Sequence, residues 1–496
     1  MFYQQAISMN GNLSRRKIER SGLLIMIVFG MGMVLTSCMV GPDYVRSTVE
    51  TPVAYKESEG WKVAQPQDDT IRGAWWEVFN EPQLNALAVQ IDISNQNVLV
   101  AEAQFRQARA LVREARASYF PTVTIGTGVV RSRTPPLAIG APARTATNYA
   151  LPLDVSWEVD VWGRIRRTVE SNQANAQASA ADLELVRLSF QTELAQAYFQ
   201  LRTYDAQTEL LERTVGAYSK SLELTTNRYA AGVASQGEVA QAETQLKTTQ
   251  ALLIDVGVQR TQTEHAIAVL LGKAPSEFSL VATPLVTPPP PIPVGVPSAL
   301  LERRPDIAAA ERSMAAANAQ IGIAEAAFFP SLTLSTSNGF ESTSVTQWLT
   351  WPMRFWSVGA GISQTVYDGG LRRAQTDFAR AAYEATIATY RQTVLAAFQT
   401  VEDNLAALRI LEQEAQVQAE AVTAAQRSVA ITTNQYKVGI VTYLDVITTQ
   451  TIALTNEIAA VQTLGRRMTA AVLLVEVLGG GWNVDELPSA QEVTER

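Results

Sequence analysis

From residue 149 to 161 every odd position is apolar (Tyr149, Leu151, Leu153, Val155, Trp157, Val159, Val161), while the even ones are Ala150, Pro152, Asp154, Ser156, Glu158 and Asp160. Alternation of period two marks a strand with one greasy and one wet face. The pattern returns with Trp356, Val358, Ala360, Ile362 and Val366 against Ser357, Gly359, Gly361, Ser363 and Thr365. Shorter versions follow Pro121 (Val123, Ile125, Val129) and Pro330 (Leu332, Leu334). Strands are therefore expected at about 121–133, 147–161, 330–343 and 354–367. Alternating segments of about ten residues are the pattern of a membrane barrel, apolar outward and polar inward; half of a soluble sandwich is the competing reading. Four strands are too few for a closed barrel, which needs about eight or more. An open sheet in lipid would leave edge groups unpaired at several kcal/mol each. If these strands lie in a membrane, several chains must share one barrel. The strand arithmetic alone does not choose between two chains and three.

Elsewhere the period is helical. Between Gly163 and Gly232 no proline interrupts, and Leu183, Val186, Phe190, Leu194, Ala197, Leu201, Tyr204, Leu211, Val215, Tyr218 and Leu222 form a coiled-coil-like seam. At 1.5 Å per residue such a helix is about 100 Å long. Long helices are expected at 163–231 and 370–438, and return helices at 235–271 and 442–478. Preceding helices are expected at about 84–118 and 298–327. A preceding helix stacked on a return helix about equals one long helix, which suggests a wall of uniform height. Each long helix closes at a glycine, Gly232 or Gly439. Ser235-Gln236-Gly237-Glu238 and Thr442-Tyr443-Leu444-Asp445 then have capping-box spacing. Glu238 and Asp445 are thus helix caps in one reading; in the other, symmetry copies of Asp445 form an acidic ring at the mouth of a tube.

The chain also repeats itself. Thr225 to Gly232 matches Thr432 to Gly439 at an offset of 207 residues, and Tyr119 to Thr124 matches Phe328 to Thr333 at an offset of 209. Gly163 to Arg167 answers Gly369 to Arg373, and Leu271-Gly272 answers Leu478-Gly479. Four matches in one order indicate two copies of one unit. Prolines 284, 288, 289, 290, 291, 293 and 297 between them read as a stiff linker. The resulting division is 1–37 signal peptide, 38–80 N-terminal segment, 81–283 first repeat, 284–297 linker, 298–482 second repeat and 483–496 tail.

The signal peptide rests on Arg15, Arg16, Lys17 and Arg20 followed by the apolar stretch Leu23 to Leu35, too short to span a membrane as a helix. Leu35-Thr36-Ser37-Cys38 resembles the lipobox, which implies N-acyl and S-diacylglycerol lipid on Cys38 and, with Met39 next, the outer membrane. One cysteine excludes an intrachain disulfide framework. One histidine, His265, is too few for most zinc sites. A net charge of −8 without a basic run beyond residue 20 argues against nucleic acid. An enzyme is the weakest reading: the best acid pairs, Asp68-Asp69 and Glu402-Asp403, are sequence neighbours, and neighbours on a helix do not face each other. No catalytic residue, metal ligand or cofactor site is expected.

Together these residues resemble the outer-membrane factor family of TolC-type efflux ducts, in its NodT-like lipoprotein branch serving resistance-nodulation-division pumps. Gly41-Pro42-Asp43-Tyr44, Trp75-Trp76 with Phe79, Leu301 to Ile307, Ala326 to Pro330 and Leu478 to Trp482 carry the resemblance in order. It implies a mixed α and membrane-β fold: a homotrimer with a twelve-stranded outer-membrane β-barrel, twelve helical columns in the periplasm, and an equatorial region of shorter elements. It implies a lipid-anchored outer-membrane channel of a tripartite efflux system, partnered by a periplasmic adaptor, an inner-membrane transporter and outer-membrane lipid. Carried over, Arg228, Tyr229, Ala231, Gly232, Ser235, Tyr436, Lys437, Gly439 and Thr442 become adaptor-contacting tips. Leu444, Asp445 and Thr448 become the periplasmic gate, where the threonine replaces a family acid. Arg228, Lys437 and Asp445 are candidates for tip ion pairs. The alternatives are a periplasmic coiled-coil scaffold lipoprotein and a duct serving type I protein secretion.

Overall fold

The computed structural model describes residues 39–49, 51–52, 54–57, 73–135, 142–292 and 300–495. The signal segment, Cys38, Asp68-Asp69 and residues 293–297 of the proline stretch lie outside them. One antiparallel sheet contains β1 (Thr122–Ile125), β2 (Gly128–Thr134), β3 (Arg144–Val159), β4 (Ser331–Ser342) and β5 (Arg354–Ser363). The expected strand over 121–133 is two segments. Both pair with β3, and Ile125↔Leu153 and Gly128↔Ala150 continue one register, so β1 and β2 are collinear. The gap faces Leu151-Pro152, where the proline has no N–H to give a ladder; only Gly126 N donates across, to Pro152 O at 3.0 Å. Five segments thus fill four strand positions, ordered β1/β2, β3, β4, β5. On β4, Gly339 faces the same spot, and a Cβ there would sit 2.1 Å from Leu151 O.

Cross-strand partners share a face, so register sorts the side chains. One face carries Val123, Ile125, Val129, Tyr149, Leu151, Leu153, Val155, Trp157, Val159, Leu332, Leu334, Phe340, Trp356, Val358 and Ile362, with Thr336, Asn338 and Ser342 as polar exceptions along the same span. The other carries Thr122, Thr124, Asn148, Asp154, Ser156, Glu158, Thr333, Ser335, Ser337, Glu341, Ser357, Gly359 and Gly361, with Val130, Ala146, Ala150, Pro152 and Phe355 as apolar exceptions. The apolar face is bare in the single chain: Ile125, Trp356, Val358 and Ile362 are each at least 70% exposed.

The helices are α1 (Pro82–Ser94), α2 (Gln96–Ala117), α3 (Arg164–Ala230), α4 (Gln236–Leu270), α5 (Pro305–Ala326), α6 (Leu371–Lys437) and α7 (Tyr443–Val477). Their lengths come in pairs: 67 residues for α3 and α6, 35 for α4 and α7, 22 for α2 and α5. α3 packs against α2 and α4 on one side and α5 and α7 on the other, and α6 lies beyond α5 and α7. Four columns side by side result, two of them assembled from stacked short helices. By length and composition α7 would pass for a membrane span, but its buried residues pack into this wall.

Two joints hold the stacks. In the first, the expected helix over 84–118 is broken at Asn95, whose extended backbone separates α1 from α2. Its Oδ1 accepts from Asn97 N and Val98 N, and its Nδ2 donates to Leu270 O at the end of α4. In the second, the expected helix from 298 is described as a turn at Leu300–Arg303 and then α5, because Pro305 forces Arg304 into extended backbone. Arg304 Nη1 donates to Val477 O at the end of α7. Between the joints lies the largest core, with Trp75, Trp76, Phe79, Leu84, Ile91, Tyr198, Phe199, Leu271, Leu285, Val401, Leu405 and Val475. The proline-rich stretch crosses α3 here: Thr283 N donates to Asp205 and Leu285 N to Arg202 O.

Both chain ends strap this wall. Val40 N donates to Trp162 O at the junction of β3 and α3. Buried Arg167 donates to Val40 O, Gly41 O, Asp43 and Glu170. Tyr44 donates to Glu311, and Lys56 N and Glu57 N donate to Glu402. The tail turns at buried Trp482 and packs Val493 against Val112 and Ala176.

Candidate functional site

The end of the wall far from the sheet is built from two helical turns. In the first, Gly232 takes φ 71°, Gly232 N donates to Tyr229 O, and Val233 N and Ala234 N both donate to Arg228 O. Ser235 and Glu238 then exchange the two bonds of a capping box. In the second, Gly439 takes φ 82°, and Gly439 N and Ile440 N donate to Tyr436 O and Gln435 O. Asp445 accepts from both the N–H and the hydroxyl of Thr442, at 2.9 and 2.7 Å. Both acids therefore satisfy groups at helix starts, where a negative charge also suits the dipole.

Distant in sequence, the turns are tied side by side. The Arg228 guanidinium lies over the Tyr436 ring at 4.7 Å and donates to Lys437 O at 3.1 Å. Within the single chain Arg228 is held by a ring face and a carbonyl, and the Asp445 carboxylate is engaged by Thr442. Tyr436 stacks obliquely on Tyr443 at 5.2 Å, and the Tyr443 hydroxyl meets Ser221 at 3.0 Å. Burial pushes the Tyr443 phenol up, so at neutral pH it stays uncharged in this contact. Tyr218 OH adds a bond to Gln450 O. Tyr229, Lys437, Ala231, Gly232, Ser235, Gly439 and Thr442 remain open, as do Val233, Val438 and Ile440, each more than 60% exposed. Those three apolar tip residues were missed in the sequence reading; bulky aliphatics directly after or beside a helix-closing glycine were the available signal.

Leu444 and Thr448 are exposed on α7, and Leu444 borders a hollow formed with Tyr218, α4 and Ile447. This hollow shares Leu252 and Ile458 with a second one higher up, lined from all four columns by Gln200, Tyr204, Gln207, Asp255, Gln259, Asn404, Gln462 and Arg466 among others. The second hollow is therefore a furrow bordered by every column. Leu444 and these uncharged amide groups thus border adjoining hollows. Arg466 is paired there with Glu414 at 3.0 Å. His265 is exposed on α4, and Glu402 is used to hold the N-terminal strap.

The family described as outer membrane efflux protein matches residues 87–273 and 296–480. The toluene efflux pump outer membrane protein TtgC of Pseudomonas putida is 29% identical over 459 residues, covering 90% of this chain and 94% of that one. Nodulation protein T of Rhizobium leguminosarum bv. trifolii is 30% identical, with 91% and 96% covered. Among solved structures, the outer-membrane channel OprN superimposes with a TM-score of 0.84 at 30% identity, covering 90% of this chain and all of that one.

Proposed function

From the premise that the chain belongs to the outer membrane efflux protein family and serves as the outer-membrane duct of a tripartite efflux system, we propose that three copies close into one tube. It has twelve strand positions in the membrane and twelve helical columns in the periplasm. The observation that carries this is the pair of open edges. Among the described residues β1/β2 and β5 are unpaired on their outer sides, and the outermost columns beneath them are α2 with α4 and α6. α6 exposes Phe378, Leu395, Ile410, Val417 and Ile431, and α2 with α4 exposes Val100, Leu111, Ile254, Val258 and Val269. An edge that meets a different edge joins head to tail, and such contacts form a ring when the rotation between copies closes. The apolar sheet face then meets lipid, and the hydroxyl-rich face continues the concave furrow as one lumen that conducts and performs no chemistry.

Lipid on Cys38 fits this arrangement, because Met39, the nearest described residue, packs at Gly163 where sheet meets helices. Trp162 and Phe329 stack at that level like a membrane-interface belt. The exposed tip residues Tyr229, Val233, Val438 and Ile440 suit a periplasmic adaptor, through which an inner-membrane transporter drives export. Leu444 narrows the lumen mouth and Asp445 sets a charged ring beside it. Cargo is chosen by the transporter, since a toluene-pump component and a nodulation protein are about equally similar to this chain. In planar bilayers, Leu444→Ala and Asp445→Ala are expected to raise leak conductance over the wild type. Unchanged conductance with a destabilised α7 would leave Asp445 as a cap alone and remove the gate from this account.

A further inference from the structure

The outer rim of the sheet carries arginines that conduction does not need. Register sets Arg131 opposite Thr147 and Arg133 opposite Thr145, on the face that bears Tyr149, Leu151, Leu153 and Val155. Arg354, the first residue of β5, faces Phe340 on that same side. From Val159 to Tyr149 the apolar run spans about 34 Å of strand at about 3.4 Å per residue. Tilted by about 40°, it makes a band about 26 Å tall, the height of the hydrocarbon belt on an outer-membrane barrel. Arg131 and Arg133 lie two and four residues beyond Tyr149, roughly 5 and 10 Å above that band by the same geometry. This end of the sheet is opposite the one where α3 and α6 begin, so it is the extracellular end.

All three guanidinium groups are exposed, and Arg354 lies over the exposed Trp351 ring at 4.3 Å. Every carboxylate of the described strands is on the opposite face: Asp154, Glu158 and Glu341. Of these, Glu158 is taken by Arg164 and Glu341 by Asn148. The lipid-facing rim therefore has three positive charges per chain and no acid among its strand positions: Arg131 and Arg133 lie beyond Tyr149, and Arg354 is level with Phe340 at the top of the apolar run. A guanidinium offers a planar fork of donors that matches phosphate oxygens two at a time.

Resting on the barrel reading above, we propose that this rim binds the phosphate groups of an anionic phosphorylated lipid in the outer leaflet. Arg131 and Arg133 grip at headgroup height, and Arg354 on Trp351 holds the boundary with the acyl chains. Arg144, opposite Thr134 on the inward face at the same end, is the internal control. The full-length protein is reconstituted into phosphatidylcholine vesicles with bisphosphorylated lipid A, with dephosphorylated lipid A, or with neither. Retained lipid copies are counted by native mass spectrometry, and melting is followed at low and high salt. Bisphosphorylated lipid A is expected to be retained and to raise the wild-type melting temperature, more at low salt. R131Q/R133Q/R354Q should lose most of both effects while inserting normally, and R144Q should keep them. Equal retention by wild type and triple variant, or equal stabilisation by the dephosphorylated lipid, overturns the proposal alone. A wild type that never inserts overturns the barrel reading as well.

Discussion

Arg167 joins the start of the described chain to the first turn of α3, and its side chain is 1% exposed. It spends its donors on Val40 O, Gly41 O, Asp43 and Glu170, while Gly322 of α5 closes over it so tightly that a Cβ there would lie 2.9 Å from Arg167 Cγ. Arg167→Met keeps length and removes every donor, so the strap should loosen by about 2 kcal/mol. Trypsin is expected to cut after Arg46 and Lys56 faster in the variant, with the rest of the digestion pattern unchanged. Glu476 makes a second residue-scale test. Burial pushes its carboxyl up to about 7, with Asp306 adding to the rise and Arg304 opposing it. A raised acid stabilises the fold below its unfolded value of about 4.5 and loses that contribution as pH climbs through about 7. Glu476→Gln copies the protonated form. Thermal melts should show the variant more stable than wild type at about pH 8 and equal to it at about pH 4; no difference at the higher pH would place the carboxyl in solvent.

At the scale of elements, the joints decide whether four columns stand straight. Asn95 caps α2 through Asn97 N and Val98 N while closing α4 through Leu270 O. Asn95→Ala should cost about 1–2 kcal/mol and speed hydrogen exchange on both sides of the joint, at 95–98 and at 268–272. Exchange that rises at α2 alone would mean the stack is held by side-chain packing. The same element shows what the sequence could and could not reveal. Glycines and capping residues placed the ends of α3, α4, α6 and α7, because their chemistry is local. The break at Arg304 is equally local, written in Pro305. Asn95 was hidden, since Leu84, Leu87, Ile91 and Val98 keep a helical period across it and the partner that rewards the break is Leu270. The gap between β1 and β2 was hidden for the same kind of reason: its cause, Pro152, is on the neighbouring strand. At the tips the glycines and caps were legible, whereas the Arg228–Tyr436 stack joins residues about two hundred positions apart and leaves no local trace.

On the scale of the whole molecule, one chain is an unfinished wall. Among the described residues its sheet has two open edges, its greasy face is bare, and the outer columns expose aliphatic and aromatic side chains. A monomeric soluble protein rarely shows so much apolar surface. Completion by identical copies, as proposed, would turn each of these liabilities into a contact, with lipid outside, water inside and neighbour wall at each edge. The particle mass of the full-length protein extracted from outer membranes, with the detergent contribution subtracted, tests this most directly. The account predicts three chains per particle, separable by heat and insoluble without detergent. A single chain that remains soluble in plain buffer once the lipid is removed would contradict it.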